Sequence, residues 1–252
     1  MTRVLAIHAH PDDIEITCGG TLLRLKEAGC ELVYISMTAG DKGSAELDAA
    51  AIANVRREEA RRAAEGFGAE FHCLEFEDLE IDVDSEARRR VTEGLRRANA
   101  DLVITAPPVD YMTDHEHTSR LVRDACFCAS VPNYRTHQWD PAPVTERIPH
   151  LYYVDPVEGV DWFGRPAEYD RIVDITAQVD RKLELLACHA SQREWLRRQH
   201  GEDEYLDSAR KWAAARGEQA GVAYGEAFRQ HKGHPYPGSD LLGELLGEAA
   251  ST

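Results

Sequence analysis

The sequence predicts an α/β fold, with a Rossmann-like, mostly parallel sheet that has helices on both faces. Short aliphatic runs alternate with longer helical stretches through the first half of the chain, which is the order of a parallel sheet with crossover helices. The runs are nearly continuous in apolar residues, as expected for strands buried on both faces. The turn after the first run lacks the GxGxxG pattern, so a dinucleotide-binding fold is not supported.

Each element follows from its local pattern. Aliphatic and β-branched runs predict strands at residues 4–7, 32–37, 70–74, 102–105 and 151–154. Helical periodicity predicts helices at residues 17–28, 49–66, 85–98, 115–129, 176–200 and 204–217. Pro and aromatic residues at 131–147 predict a loop or annex, and residues 234–252 form a tail with a short Leu repeat.

Length and composition limit the classes of protein. The 252 residues suit a single domain spanning residues 1–252, with a C-terminal annex of roughly 150–252. The net charge of -16 argues against nucleic acid and against an anionic membrane surface. No apolar run is long enough to insert into a bilayer, and Met1 leads into a strand without a signal-peptide layout. The six cysteines contain no CxxC pair, so we expect a reduced, cytoplasmic protein.

Three polar residues in the turn after the first predicted strand could form part of a metal site. His10 and Asp13 offer a nitrogen and an oxygen donor that could hold one divalent metal, with Asp12 between them as a base. Carboxyl ends of strands are where open α/β sheets place their ligand sites. The plain alternative is a turn in which an Asp caps the next helix. Crowded carboxylates would repel each other without a cation, which favours the metal.

A catalytic metal site needs three protein donors and an open position, so another ligand is required. The fourth predicted strand is followed by a loop that leads to His115 and His117. Either histidine could point back over the strand ends toward His10. Exposure to solvent in the first turn of a helix is the alternative for His115.

The segment Ala-His-Pro-Asp-Asp-Ile-Glu at residues 9–15 resembles the opening motif of the LmbE-like, or PIG-L, de-N-acetylases. That family removes the acetyl group from N-acetylglucosamine-type sugars on various aglycones. Weaker similarities follow in the family's order: Thr-Ala-Gly at 38–40, Arg-Arg-Glu-Glu at 56–59, Asp-Leu at 78–79, Asp-His at 114–115 and His-Ala-Ser-Gln at 189–192.

The resemblance implies roles for particular residues. By position, it implies the metal ligands His10, Asp13 and His115, the general base Asp12, and the sugar contacts Arg56 and Asp78. For Arg56 the alternative is an ordinary ion pair with Glu59 on the same helix.

One position departs from the family. The family motif usually begins with a His three residues before the ligand His, where this chain has Met112. A thioether cannot donate a proton, so Tyr111 and His117 are the candidates for that catalytic role, unless the metal acts alone on the oxyanion.

Taken together, the residues and the resemblance predict a zinc-dependent de-N-acetylase that hydrolyses the acetamide of an N-acetylglucosamine-type sugar or conjugate. Fe²⁺ or another divalent metal could replace Zn²⁺, and relatives that self-assemble suggest a homo-oligomer. One alternative is a non-catalytic, metal-containing sugar-binding protein in which Met112 marks lost turnover. Another is a non-haem Fe(II) oxygenase, which the three-residue spacing of His10 and Asp13 disfavours.

Overall fold

The computed structural model describes residues 1–200 and 204–247. Its strands form one seven-stranded sheet with the order β3-β2-β1-β4-β5-β7-β6. The strands are β1 (Arg3–His8), β2 (Glu31–Thr38), β3 (Ala69–Phe76), β4 (Leu102–Thr105), β5 (His150–Val154), β6 (Arg171–Asp174) and β7 (Gly225–Gln230). The helices are α1 (Asp13–Glu27), α2 (Ala49–Phe67), α3 (Ser85–Ala98), α4 (Thr113–Ala129), α5 (Val179–Leu186), α6 (Ala190–His200), α7 (Glu204–Ala220) and α8 (Leu241–Leu246).

The predicted α/β class is confirmed. Strands β1 to β5 run parallel, and β7 pairs antiparallel with both β5 and β6. Successive residues of β1 point to opposite faces of the sheet: Val4 belongs to the hydrophobic core beneath α1, whereas Leu5 belongs to the core beneath α3 and α4. Both side chains are fully buried. A strand covered on both faces explains why its sequence reads as a continuous apolar run.

The prediction of one long helix over residues 176–200 was wrong. The chain forms α5 and α6 instead, separated by a break at residues 187–189. Glu59, on α2, stabilises the first turn of α6. Its carboxylate accepts hydrogen bonds from the backbone N–H and the hydroxyl of Ser191. His189 turns inward at the break and lies 3.2 Å from Glu15. Long-range contacts with α1 and α2 therefore fix the break.

The C-terminal part of the chain extends the same sheet. The short strands β6 and β7 were not predicted, and the Leu repeat of the tail forms the short helix α8. Residues 248–252 of the predicted tail lie outside the described residues. Residues 131–147 form no helix or strand, as predicted. In the described part of the chain, no helix is both long enough and apolar enough to span a bilayer.

The strand order creates a crevice at the carboxyl end of β1. From β1 the chain adds β2 and β3 on one side, then crosses over to add β4 on the other side. The loops after β1 and β4 consequently leave the sheet in opposite directions. This switch point is the usual ligand site of an open α/β sheet.

Candidate active site

The turn after β1 holds Asp12 in an unusual backbone conformation. Its φ of 97° lies in the left-handed region, which non-glycine residues rarely adopt. Asp12 is the N-cap residue of α1, but its side chain makes no capping hydrogen bond. The simple helix-cap explanation of this residue therefore does not hold. The turn instead directs two adjacent carboxylates, Asp12 and Asp13, into the crevice.

Three side-chain atoms converge at the crevice. His10 Nδ1 lies 3.2 Å from Asp13 Oδ2 and 3.2 Å from His115 Nε2. His115 Nε2 lies 3.4 Å from Asp13 Oδ2, which closes the triangle. Ligand atoms on a tetrahedral zinc ion lie about 3.3 Å from one another, given typical zinc-to-ligand bond lengths. The spacing of these three atoms therefore fits one small divalent cation.

Carboxylates engage the other nitrogen of each ring. His10 Nε2 lies 3.0 Å from Asp78 Oδ1 and 3.3 Å from Asp114 Oδ2, while His115 Nδ1 lies 3.0 Å from Asp110 Oδ2. If each ring donates its N–H to these carboxylates, the lone pairs of His10 Nδ1 and His115 Nε2 face each other. A carboxylate behind a histidine is the usual support of a metal ligand. The set is therefore arranged to receive a cation.

Two other groupings of potential ligand atoms occur among the described residues. Atoms of His8, Asp13 and His115 lie within 4.8 Å of one another, and so do atoms of His10, Asp78 and Asp114. His8 Nδ1 lies 2.7 Å from Asp13 Oδ2 and supports that carboxylate from the sheet side. Asp13 and His10 join the two groupings, because Asp13 Oδ2 and His10 Nδ1 are 3.2 Å apart.

The electrostatics of the cluster favour positive charge. Burial alone would lower the pKa of both ligand-candidate histidines, but hydrogen bonds that the ring of His10 donates to the carboxylates of Asp114, Asp13 and Asp78 hold its pKa well above its usual value. Asp13 and Asp110 outweigh burial in the same way and raise the pKa of His115 to about 9. A buried space that raises histidine pKa values in this way also attracts a metal cation.

Asp12 lies beside the triangle with its own partners. Its Oδ2 accepts a hydrogen bond from the hydroxyl of Tyr205 on α7, and its Oδ1 is 3.9 Å from Arg56 Nη2. Burial raises the pKa of the Asp12 carboxyl, although the charge of Arg56 opposes this effect. Asp12 is thus a buried carboxylate with a raised proton affinity and two groups that fix its orientation.

Arg56 reaches the site because two glycines give it space. Its guanidinium donates to the carbonyl oxygens of Gly40 and Pro11, each at 3.3 Å, and among the described residues its Nε has no hydrogen-bond partner. A Cβ atom on Gly40 or Gly43 would lie 2.4 or 2.5 Å from Arg56 Nη1. The Thr-Ala-Gly turn after β2 therefore accommodates a buried arginine, and the surface ion pair with Glu59 does not form in the described structure, since Glu59 binds Ser191.

These groups open into a cavity of about 470 Å³, which we call the catalytic cavity. Helices α6 and α7 form one of its walls. The catalytic cavity is lined by His10, Asp12, Asp13, Ile16, Thr17, Lys42, Gly43, Arg56, Asp78, Leu79, Tyr111, Met112, Val157, Gln192, Trp195, Leu196, Tyr205, Ser208 and Trp212. Its volume is within the usual range for small-molecule sites.

Tyr111 and His117 are the candidates for the role of the histidine that Met112 replaces, and they differ in position. Tyr111 lines the catalytic cavity, and its ring meets the His115 ring edge-on with centroids 5.5 Å apart. Tyr111 as a whole is 70% exposed, but the surroundings of its hydroxyl, through desolvation and the charges of Asp13 and Asp110, raise its pKa, so the phenol keeps its proton. His117 does not line this cavity; its Nδ1 is hydrogen-bonded to the carbonyl of Ile81.

Sequence reasoning brought His10, Asp12, Asp13, Asp78 and His115 together, and the structure places them in one cluster. It assigned no role to three further site residues: Asp110, Asp114 and Tyr205. Asp114 had a usable signal, because it directly precedes the ligand candidate His115 in the family motif. Tyr205 had no such signal, since it contacts Asp12 although the two residues are 193 positions apart in the sequence.

Known proteins are similar to this chain in sequence. Residues 5–126 match the family model of PIG-L, GlcNAc-PI de-N-acetylase. A diacetylchitobiose deacetylase of Thermococcus kodakarensis is 29% identical over 196 residues, covering 75% of this chain and 70% of the relative. A 4-oxalmesaconate hydratase of Pseudomonas putida is 26% identical over 196 residues, covering 75% of this chain and 73% of the relative.

A solved structure extends the comparison beyond residue 126. The N,N'-diacetylchitobiose deacetylase from Pyrococcus horikoshii, complexed with its inhibitor MPG, superimposes with a TM-score of 0.76 at 28% identity. The match covers 94% of this chain and 88% of that protein, so it includes the strands β5 to β7. By the family match over residues 5–126, the named relatives and the shared fold, the chain is similar to the PIG-L, or LmbE-like, family.

Proposed function

We propose that this protein is a metal-dependent hydrolase that removes the acyl group, acetyl in the simplest case, from the amine of an N-acetylglucosamine-type sugar or conjugate. One observation carries the proposal. The donor atoms of His10, Asp13 and His115 converge at 3.2 to 3.4 Å, and the buried carboxylate of Asp12 lies next to them. A metal-ligand triangle with an adjacent base is the arrangement needed to hydrolyse an amide with water.

In this proposal His10, Asp13 and His115 hold a divalent cation, with Zn²⁺ first and Fe²⁺ or another divalent ion as substitutes. When bound, the cation supplies Lewis-acid polarisation of the acyl carbonyl and lowers the pKa of water. The carboxylates of Asp110, Asp78 and Asp114 fix the orientation of the two histidine rings through their second nitrogens.

The proton transfers belong to Asp12. It accepts a proton from the attacking water as the new C–O bond forms, and it returns that proton to the sugar nitrogen as the C–N bond breaks. The products are a carboxylic acid and a free amine. The hydroxyl of Tyr205 and the charge of Arg56 keep Asp12 in place between the two steps. The Tyr111 hydroxyl is the group that donates a hydrogen bond to the developing oxyanion, in place of a histidine at Met112.

The sugar ring is assigned to the side of the catalytic cavity that Arg56 and Asp78 line. Arg56 has an unpartnered Nε, and Asp78 is a carboxylate held by His10. Burial alone would raise the pKa of Asp78, but the hydrogen bond from His10 holds the pKa below its usual value. A charged donor and a charged acceptor facing one cavity suit the hydroxyl groups of a sugar.

A hydratase is the second candidate, because one relative has that name. The charges of the catalytic cavity argue against a polycarboxylate substrate, which would require several unpaired cations. The cationic side chains that line it are Lys42 and Arg56, and Lys42 already pairs with Glu80 at 2.9 Å. Three carboxylates line the same cavity: Asp12, Asp13 and Asp78. This balance favours a neutral substrate such as an acetamido sugar.

The sugar-binding and oxygenase alternatives make different demands on the site. A binding protein has little use for a buried base beside the metal, yet Asp12 is buried and oriented by two partners. An oxygenase would consume O₂ and release no acetate. Both alternatives would show metal binding without hydrolysis.

The testing experiment measures acetate release from a panel of N-acetylglucosamine derivatives by metal-stripped protein, Zn²⁺-reconstituted protein and the Asp12→Asn variant. Asp82→Asn is the matched control, because Asp82 is an exposed aspartate away from the catalytic cavity. We expect release only from reconstituted wild type and the control. Equal release by Asp12→Asn, or none from any derivative, would contradict the proposal.

The proposal also includes a cytoplasmic location and a homo-oligomeric state. All six cysteines are free thiols, which supports a reducing, cytoplasmic environment. A homo-oligomer is supported by the exposed aromatic rings of Trp162 and Phe163, which are 61% and 77% accessible. Light scattering coupled to gel filtration measures the mass in solution, and a monomer at all concentrations would contradict that part.

A further inference from the structure

A second cavity of about 210 Å³, the side cavity, adjoins the catalytic cavity. Four residues line both spaces and form the boundary between them: Ile16, Thr17, Val157 and Trp212. The rest of the side cavity is built from the loop after β5, from α7, from Lys182 of α5 and from the start of β7, and it includes the apolar side chains of Val160, Pro166 and Ala213.

Four of the five charged side chains that line the side cavity are paired with one another. Arg216 binds both carboxylate oxygens of Asp155, and its Nη2 also donates to the carbonyl of Gly159 at 3.3 Å. Lys182 Nζ lies 2.7 Å from Glu226 Oε1. The fifth, Glu158, is exposed to solvent, so the contacts that remain for an occupant inside the cavity are mainly apolar.

The position of the side cavity follows from the strand order. Arg56 and Asp78 approach the reactive centre from the β2–β3 side of the sheet, whereas Val157 follows β5 and Trp212 lies on α7 beside β7. The reactive centre at β1 and β4 lies between these two sides. An amide substrate has its sugar on the nitrogen and its acyl group on the carbon of the bond that breaks. With the sugar on the β2–β3 side, the acyl group points toward the side cavity.

We propose that the side cavity binds the acyl chain of the substrate, and that this enzyme accepts N-acylated amino sugars whose acyl group is longer than acetyl. This inference rests on the proposed function, because it assigns the two ends of the amide to two sides of that site. The reaction remains a hydrolysis: water adds to the acyl carbon, the C–N bond breaks, and a fatty acid replaces acetate as the product.

The first test compares kcat/KM for glucosamine carrying N-acetyl, N-butyryl, N-hexanoyl and N-octanoyl groups. Burying one methylene group favours an apolar contact by up to about fourfold. For the wild type we expect butyryl to exceed acetyl by about tenfold, and hexanoyl to equal or exceed butyryl. Rates that fall tenfold or more from acetyl to butyryl would overturn the inference while leaving the proposed deacetylase intact. No acid release from any of the four would overturn both.

Val160→Trp tests whether the side cavity is responsible, because Val160 lines the side cavity but not the catalytic cavity, and the larger ring would fill the space for an acyl chain. We expect hydrolysis of N-acetylglucosamine to change less than threefold and that of the hexanoyl substrate to fall at least tenfold. Val55→Trp is the matched control, since Val55 is 40% exposed on α2 and lines neither cavity. An equal loss in both variants, or an unchanged acyl preference in Val160→Trp, would overturn the assignment.

A binding measurement on the unmodified protein does not depend on the folding of a variant. The free acids acetate, butyrate and hexanoate are products of the same substrates, so each should inhibit by occupying the acyl side of the site. We expect the inhibition constant to fall several-fold with each added pair of methylene groups. Equal inhibition by all three acids would contradict an acyl site in the side cavity.

Discussion

Two buried clusters of charged groups contact α1, and they differ in how completely their charges are paired. At the first, Lys182 Nζ donates to Glu226 and to the carbonyl of Ile16, while the Glu226 carboxylate also accepts the backbone N–H groups of Gly20 and Thr21. The side chains of Lys182 and Glu226 are 2% and 3% exposed. Every charge of this cluster has its hydrogen-bond partners within the protein.

The second cluster, at the carboxyl ends of β1 and β4, is paired less completely. His10 Nδ1 and His115 Nε2 lie 3.2 Å apart, and each lies within 3.4 Å of Asp13 Oδ2, so the three atoms are spaced to share one cation. Asp12 is held at a positive φ, and Arg56 Nε has no hydrogen-bond partner among the described residues. The comparison teaches that a fully paired buried cluster stabilises a fold, whereas an unpaired one is arranged for a ligand or a reaction.

The largest effect on activity is expected for Asp12→Asn. The amide keeps the shape of the side chain but cannot take a proton from water, so we expect kcat to fall by about 10² to 10⁴. Bound zinc, measured by plasma mass spectrometry, should stay near the wild-type amount, and the melting temperature should change little. A variant that loses its zinc together with its activity would make Asp12 a ligand rather than a base.

Lys182→Met tests the paired cluster. Removing the cation leaves Glu226 buried without its partner, so we expect the free energy of unfolding to fall by about 3 to 5 kcal/mol. Activity per folded molecule should remain within a few-fold of wild type, because Lys182 lies outside the catalytic cavity. Chemical denaturation and an activity assay on the folded fraction measure the two quantities. A stable variant with strongly reduced turnover would reverse the comparison.

Asp110→Asn tests the support of a proposed ligand. His115 would lose the carboxylate at its Nδ1, so we expect the affinity for zinc to fall about 10- to 100-fold. Competition with a chromophoric chelator measures that affinity directly. Saturating zinc should restore most of the activity. If affinity does not change, His115 is not a ligand whose ring Asp110 orients.

The smallest effects on kcat are expected for substitutions of Tyr111 and Met112, which test whether Tyr111 is the oxyanion donor. Tyr111→Phe removes the proposed oxyanion donor and should lower kcat by about tenfold or more, with little change in KM. Met112→His restores the residue usual in the family and should change kcat by only a few-fold, because the role is already filled. If Met112→His raises kcat strongly and Tyr111→Phe does not lower it, Tyr111 has been assigned wrongly.

Much of the fold could be predicted from local pattern. The strands of the first half and the helices between them follow from aliphatic runs and helical periodicity, which depend on neighbours in the chain. The break between α5 and α6 could not be predicted, because Glu59 and Glu15 impose it from other helices. Strands β6 and β7 were missed for a related reason: Gly225–Gln230 has no alternating pattern and exists through its pairing with β5 and β6.

The site was predictable to the same extent. His10, Asp12 and Asp13 are adjacent in sequence, so their chemistry is visible without a structure. His115 could be linked to them through the family motif. Tyr205 is brought to Asp12 by the docking of α7, which no local pattern encodes.

The most direct test of the unpaired cluster is a titration of metal-stripped protein with Zn²⁺ while acetate release from an N-acetylglucosamine derivative is recorded. We expect no acetate release without metal, a rate of release that rises linearly up to one equivalent of zinc per chain, and no further rise beyond it. Full activity in metal-stripped protein, or none at one equivalent for every derivative, would contradict this expectation.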